Sequence, residues 1–240
     1  MKDPISVIER SSRERRPRYR PVTAASNDSP AADTPEKGKL TIVAGCMFAG
    51  KTTALLEYLR AYDPACALVC KHAIDTRYDP DAVVSHDRRS CRAVRVHRAD
   101  EILDLLEDRT RAVAVDEGHF FDSGLIPVVS TLTRSGRNVL VTALDRDSWG
   151  RPFPVVEALL RTADERRFPK AVCARCGKPA EWTQRLTPIT DGCMVGGPES
   201  YEPRCRACWR PPPEPPPPME SLEPSTKPGT EPPFPSRRSD

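Results

Sequence analysis

The sequence predicts an α/β protein: a parallel sheet with helices on both faces, followed by a small cysteine-bearing module. Three observations predict it. Between residues 39 and 143, short and continuously apolar runs alternate with amphipathic segments, as strands do when crossover helices cover both faces of their sheet. A glycine-bearing loop joins the first apolar run directly to the first helical one. After Pro169 the texture changes to short pieces rich in Cys and Gly, without helical period.

The elements follow in order. Residues 1–38 carry Arg, Ser, Asp, Ala and Pro without apolar periodicity, and read as a disordered tail. Residues 39–44 form a β-rich run, and 52–60 place apolar residues at helical spacing. A second strand is predicted over 65–70, an amphipathic helix over 99–108, and a third strand over 112–115. Helix returns over 125–135 and strand over 138–143. The nucleotide-binding part thus spans 39–169 and the cysteine module 170–210. In residues 211–240 the run of prolines at 211–218 is almost continuous, so no core forms there and a second disordered tail is expected.

Composition excludes several classes of function. No apolar run approaches the ~18 residues of a membrane span, and no apolar segment of a secretory signal stands at the N-terminus, so a cytoplasmic protein without a membrane partner is expected. A net charge of +3 is too near balance to call for nucleic acid, although six arginines between residues 10 and 20 make a locally basic tail.

The stretch Gly45, Cys46, Met47, Phe48, Ala49, Gly50, Lys51, Thr52 fits G-x-x-x-x-G-K-[ST], the phosphate loop, between a predicted strand and helix. Glycines let backbone N–H groups close on a phosphate. Lys51 supplies a point charge, Thr52 a hydroxyl for Mg²⁺, and the helix N-terminus its own partial positive charge. The fold class is therefore a P-loop NTPase-like sheet. Its natural partner is the strand 112–115 ending in Asp116 and Glu117: Asp116 suits Mg²⁺, and Glu117 suits either orienting a water, as in an ATPase, or taking a proton from an attacking hydroxyl.

Cys173, Cys176, Cys205 and Cys208 form two C-x-x-C knuckles, the ligand count of a closed structural Zn²⁺ site. A redox pair is the alternative reading; in an intracellular chain the spacing favours metal over disulfide. The 28 residues between the knuckles, 177–204, make an inserted loop for the metal to hold. The phosphate loop belongs to the other part and is expected to stand without the metal. The remaining cysteines read as small buried apolar residues, with a reactive thiol as the alternative for Cys46, which lies in the positive potential of the phosphate loop.

Taken together these residues resemble the thymidine kinases of the cytosolic, zinc-containing type, over residues 40–209. The matching pieces run in the family's order: the phosphate loop, D-T-R-Y at 75–78, S-H-D-R at 85–88, D-E-G-H-F-F at 116–121, A-L-D at 143–145, P-F at 152–153, the first knuckle, T-Q-R-L at 183–186, V-G-G at 195–197 and Y-E-P-R at 201–204 before the second knuckle. The resemblance implies γ-phosphoryl transfer from ATP to the 5′-hydroxyl of thymidine or deoxyuridine, with Glu117 as base. It places Asp75, Thr76, Arg77, Asp116 and His119 around the ATP phosphates and Mg²⁺. It makes the inserted loop a lasso whose backbone at Gly192, Cys193, Met194, Val195 and Gly196, with Tyr201, contacts the base. A homotetramer and feedback inhibition by dTTP are implied in the same way. The chain departs from the family's pattern at Cys46 (usually Pro), Ala49 (usually Ser), His119 (often Gln) and Ser148, where an aromatic usually lines the base pocket. Ring packing on thymine then falls to Trp149, Phe120 or Phe153. A rival from another class is a zinc-ribbon ATPase acting on nucleic acid, for which Arg204, Arg206, Trp209 and Arg210 offer a basic, aromatic surface.

Overall fold

The computed structural model describes residues 36–75, 82–84, 90–188 and 195–213. Its chain order is β1 (Leu40–Ala44), α1 (Lys51–Leu59), β2 (Ala67–His72), β3 (Ala82–Val84), β4 (Ser90–Arg92), β5 (Val94–Val96), α2 (Glu101–Asp104), β6 (Ala112–Asp116), α3 (Leu125–Arg134), β7 (Asn138–Ala143), α4 (Pro154–Thr162) and β8 (Glu165–Arg167). Two short hairpins follow or flank the cysteines, β9 (Ala171–Val172) with β10 (Pro179–Ala180), and β11 (Trp182–Arg185) with β12 (Tyr201–Arg204). Among the described residues no helix is long and apolar enough to cross a membrane.

Six strands form one parallel sheet in the order β5-β2-β6-β7-β1-β8. Successive residues of a strand face opposite sides, and the core divides accordingly. Ile42, Val113, Val115, Val139 and Val141 pack on one side with Leu125, Val129 and Leu132 of α3 and Val156 and Leu159 of α4. Val43, Ala114 and Leu140 pack on the other side with Leu55 and Leu56 of α1. Both faces are buried, which is why these strands read as continuous apolar runs. Each fully buried leucine or valine contributes about 1.5–3 kcal/mol by leaving water.

The α/β class and the predicted strands and helices at 39–60, 65–70, 112–115 and 125–143 are present, with ends moved by one or two residues. The helix predicted over 99–108 is a correction: α2 covers only Glu101–Asp104. Thr110 ends it early, because its hydroxyl accepts the Glu107 N–H at 3.0 Å while its own amide donates to the Glu107 carbonyl at 2.9 Å. That closes a tight turn where the last helical turn was expected. Helix α4 was not predicted, although Pro154 at its first position is a helix-start residue and Val155, Val156 and Leu159 line its buried side.

Every loop with candidate chemistry leaves the carboxyl end of this sheet: the phosphate loop after β1, Asp75 after β2, Glu117 after β6, and residues 144–153 after β7. In open α/β sheets that end is where ligands bind.

Candidate active site and cysteine cluster

The phosphate loop opens at Gly45, whose amide donates to Ala143 O at 3.3 Å and where an added Cβ would stand 3.0 Å from Pro169 O. Phe48 (φ 62°) and Gly50 (φ 80°) both adopt the left-handed conformation, which curls the loop onto the N-terminus of α1. Lys51, the first residue of α1, is buried, and its Nζ donates to Cys46 O at 2.8 Å. Thr52 follows, half-buried. Of the two readings of Cys46 the structure has the buried one: it is 1% exposed, its thiol donates to Ala180 O at 3.5 Å, and burial pushes its pKa up despite the charge of Lys51. It is a packing residue, not a reactive thiol.

Acidic groups gather beside the lysine. Asp116 ends β6 fully inside the protein, and burial, with the neighbouring charges of Glu117 and Asp75, raises its pKa to about 7; Lys51 pulls the other way. The hydroxyl of Thr142 donates to Asp116 Oδ1 and accepts the Glu117 amide at 3.4 Å, so one β7 residue fixes both members of the acidic pair. Glu117 stands at φ 53°, a left-handed position that costs a non-glycine residue about 1 kcal/mol or more and turns its side chain out of the strand. Asp75 is buried, its amide donating to His72 O at 3.0 Å.

His119 lies 3.4 Å from Glu117 Oε2 through Nδ1. That nitrogen accepts the Leu144 N–H at 3.2 Å, so the ring proton sits on Nε2 and the contact with Glu117 is between two acceptors. Its ring packs against Phe120 (4.2 Å between centroids) and Phe153 (5.0 Å). Glu117, His119, Phe120 and Phe153 are therefore brought together. Ser148 and Trp149 share the 144–153 loop with Phe153. Ser148 is buried, and its hydroxyl has no hydrogen-bond partner among the described residues. Asp147 shapes the loop by accepting the Trp149 and Arg151 amides at 2.9 and 2.8 Å and Arg151 Nε at 2.7 Å. Val195 and Gly196 are half-buried, and Tyr201, on β12, accepts a bond from Arg185 at 2.8 Å. Thr76, Arg77, Gly192, Cys193 and Met194 lie outside the described residues. The sequence reading missed Thr142 and Asp147; Asp147 carried a local signal, an Asp ahead of a Gly turn.

The Sγ atoms of Cys173, Cys176, Cys205 and Cys208 all lie within 4.8 Å of one another, with Cys176 and Cys205 3.6 Å apart. Four thiolates about 2.3 Å from a central Zn²⁺ stand close to 3.8 Å from each other, so this set fits zinc. Desolvation raises the thiol pKa of Cys173, but the backbone amides of Cys205, Arg175 and Cys176 outweigh it and bring the value down to about 6. Amides aimed at sulfur in this way stabilise a thiolate ligand. With four thiolates the coordination sphere is closed, which is structural chemistry.

These sheet loops, the acidic pair and the cysteine cluster all lie within the stretch that matches known proteins. A model of the family described as thymidine kinase matches residues 38–209. The thymidine kinase of Rhodothermus sp. (strain ITI 518) is 38% identical over 177 residues, which is 73% of this chain and 83% of that protein. The thymidine kinase of Bdellovibrio bacteriovorus is 37% identical over 177 residues, 73% of this chain and 87% of that one. The match runs through the sheet, the phosphate loop and both cysteine knuckles without leaving any of them out, and on that extent the chain belongs to the thymidine kinase family.

Proposed function

We propose that the protein transfers the γ-phosphoryl group of ATP to the 5′-hydroxyl of thymidine or deoxyuridine, giving the monophosphate for nucleotide salvage. The observation that carries this reading is the position of Glu117 at the carboxyl end of β6, turned out by its left-handed backbone, with buried Asp116 beside it and the charge of Lys51 acting on Asp116. Backbone N–H groups of the phosphate loop hold the phosphates. Lys51 exchanges the Cys46 carbonyl for phosphate oxygens and neutralises the transferring group, as does Arg77. Asp116 and Thr52 would hold Mg²⁺, which arrives with ATP and withdraws charge from its phosphates. Glu117 takes the proton of the 5′-hydroxyl as its oxygen attacks.

His119 stands with Asp75, Thr76 and Arg77 on the phosphate side; Phe120, Ser148, Trp149 and Phe153 line the nucleoside side, where residues 192–196 meet the base through backbone groups and Tyr201 joins them. A backbone carbonyl that accepts thymine N3–H would face an unprotonated N3 in cytosine, leaving two buried acceptors opposed. The sheet part, 39–169, does the chemistry, and the module 170–210 holds one structural Zn²⁺ on Cys173, Cys176, Cys205 and Cys208. A cytoplasmic homotetramer inhibited by dTTP completes the reading.

Glu117→Gln is the direct test. It should lower kcat by roughly 10² to 10⁴-fold, the usual range for a positioned base, with ATP binding nearly intact. Turnover within a few-fold of the parent removes Glu117 from the base role, and ATP hydrolysis that proceeds equally well without thymidine rejects the kinase assignment.

A further inference from the structure

The loop between β7 and α4 rests on the cysteine module through a pair of stacked tryptophans. Trp182, on β11, and Trp209, beside the second knuckle, have ring centroids 4.4 Å apart and an interplanar angle of 32°. That knuckle fixes both. Trp182 pairs with Arg204, next to Cys205, across β11 and β12, and the Trp209 amide donates to Cys205 O at 2.9 Å. The guanidinium of Arg206 lies over both rings, 5.1 and 5.3 Å from their centroids.

The loop meets this stack at two places. Gly150 comes so close that a Cβ there would stand 2.8 Å from Trp182 Cζ3 and 3.3 Å from Trp209 Cη2, and its φ of 85° is one that glycine adopts freely. Arg146 lies over the Trp182 ring at 4.9 Å, a cation–π contact. The loop is also closed on itself. The Asp147 amide donates to Arg151 O at 2.9 Å, the Gly150 amide to Asp147 O at 3.0 Å, and the Phe153 amide to Asp145 O at 3.3 Å, while Arg146 and Pro152 form an antiparallel bridge. A loop cross-tied in this way moves as one body, so the seat of its tip sets the place of its ends. At one end Phe153 stands 5.0 Å from the ring of His119, whose Nδ1 is 3.4 Å from Glu117 Oε2.

We propose that Trp182 is a positioning residue for the nucleoside: with Trp209 it makes a platform, held by the cysteine cluster, on which Gly150 seats the 144–153 loop, and it thereby fixes Ser148 and Phe153 relative to Glu117. This rests on the reading that thymidine binds beside that loop. A pocket wall placed beforehand spares the nucleoside the cost of ordering it.

The test uses the full chain with its zinc bound. Trp182→Leu removes the ring, whereas Trp182→Phe keeps one. The leucine variant should lower kcat/KM for thymidine roughly ten- to hundredfold, the scale on which small misplacements act, mainly through KM, with zinc content and the KM for ATP within about twofold of the parent. The phenylalanine variant should stay within about threefold of the parent, as a swap that keeps an apolar ring does. Gly150→Ala should raise the thymidine KM, and should cost less where residue 182 is already leucine: the double variant should exceed the product of the single effects by about threefold or more, because residues in contact couple. Two indoles this close also couple in the ultraviolet, so the circular dichroism of the parent should carry a two-signed tryptophan band that both Trp182 variants lose. An unchanged thymidine KM in a zinc-loaded leucine variant overturns the proposal, as does an equal rise in the KM for ATP or a double variant that shows no coupling. Should the leucine variant fail to fold, Gly150→Ala and the dichroism decide: a parental thymidine KM in the alanine variant, or a parent without the two-signed band, overturns it equally. A parent protein that does not phosphorylate thymidine would instead refute the proposed function.

Discussion

Thr142 and His72 show how much of this site depends on partners that are distant in sequence. Lys51, Asp116 and Glu117 were legible because each stands in a motif whose spacing is itself the chemistry. Thr142 was not, because its hydroxyl meets Asp116 and Glu117 only once β6 and β7 lie side by side in register. His72 stands in no motif, yet it is 2% exposed, accepts the Ile74 N–H on Nδ1 at 3.1 Å, and stands edge-on to Phe121 at 4.8 Å. Burial holds its pKa below the usual 6.5. The sign follows: as pH falls below about 6.5 the unfolded chain takes up this proton before the folded one does, so the contribution present above that pH is lost on acidification. Urea unfolding at pH 7.5 and 5.5 should therefore show a smaller acid loss of stability in His72→Gln than in the parent, and an equal loss would mean that His72 titrates normally in the fold.

At the scale of elements, strands buried on both faces announced themselves, and edges did not. The outer strands β5 and β8 have three residues each, and β8 is Glu-Arg-Arg, a charged sequence suited to a sheet edge but silent as a strand signal. Helix α2 was over-read because Ile102, Leu103, Leu105 and Leu106 have helical spacing; the side-chain bond of Thr110 overrides it. The short 3₁₀ turn Gly118–Phe120 carries its information in a glycine: a Cβ at Gly118 would lie 2.5 Å from Val141 Cγ1 of β7. Gly118→Ala should accordingly force the turn away from β7, destabilise the protein by about 1–3 kcal/mol as overpacking does, and displace Glu117. Denaturant unfolding together with kcat checks this, and a variant with parental stability and rate would show that the turn yields freely.

The molecule as a whole concentrates its family likeness in residues 38–209, leaving the arginine-rich and proline-rich ends outside it. Removal of residues 1–35 and 211–240 should leave thymidine phosphorylation within about twofold, because their composition supplies no apolar core to contribute. A folded truncation with lost activity would give one of those ends a part in the site or the assembly. Because all the chemistry-bearing loops leave the carboxyl end of the sheet, the molecule has a working end and a handling end. Asp108 and Arg109, exposed in the turn before β6, belong to the latter. An enzyme tethered to a solid support through that turn would stand with its substrate entrance facing the solution, a polarity of attachment set by strand direction alone.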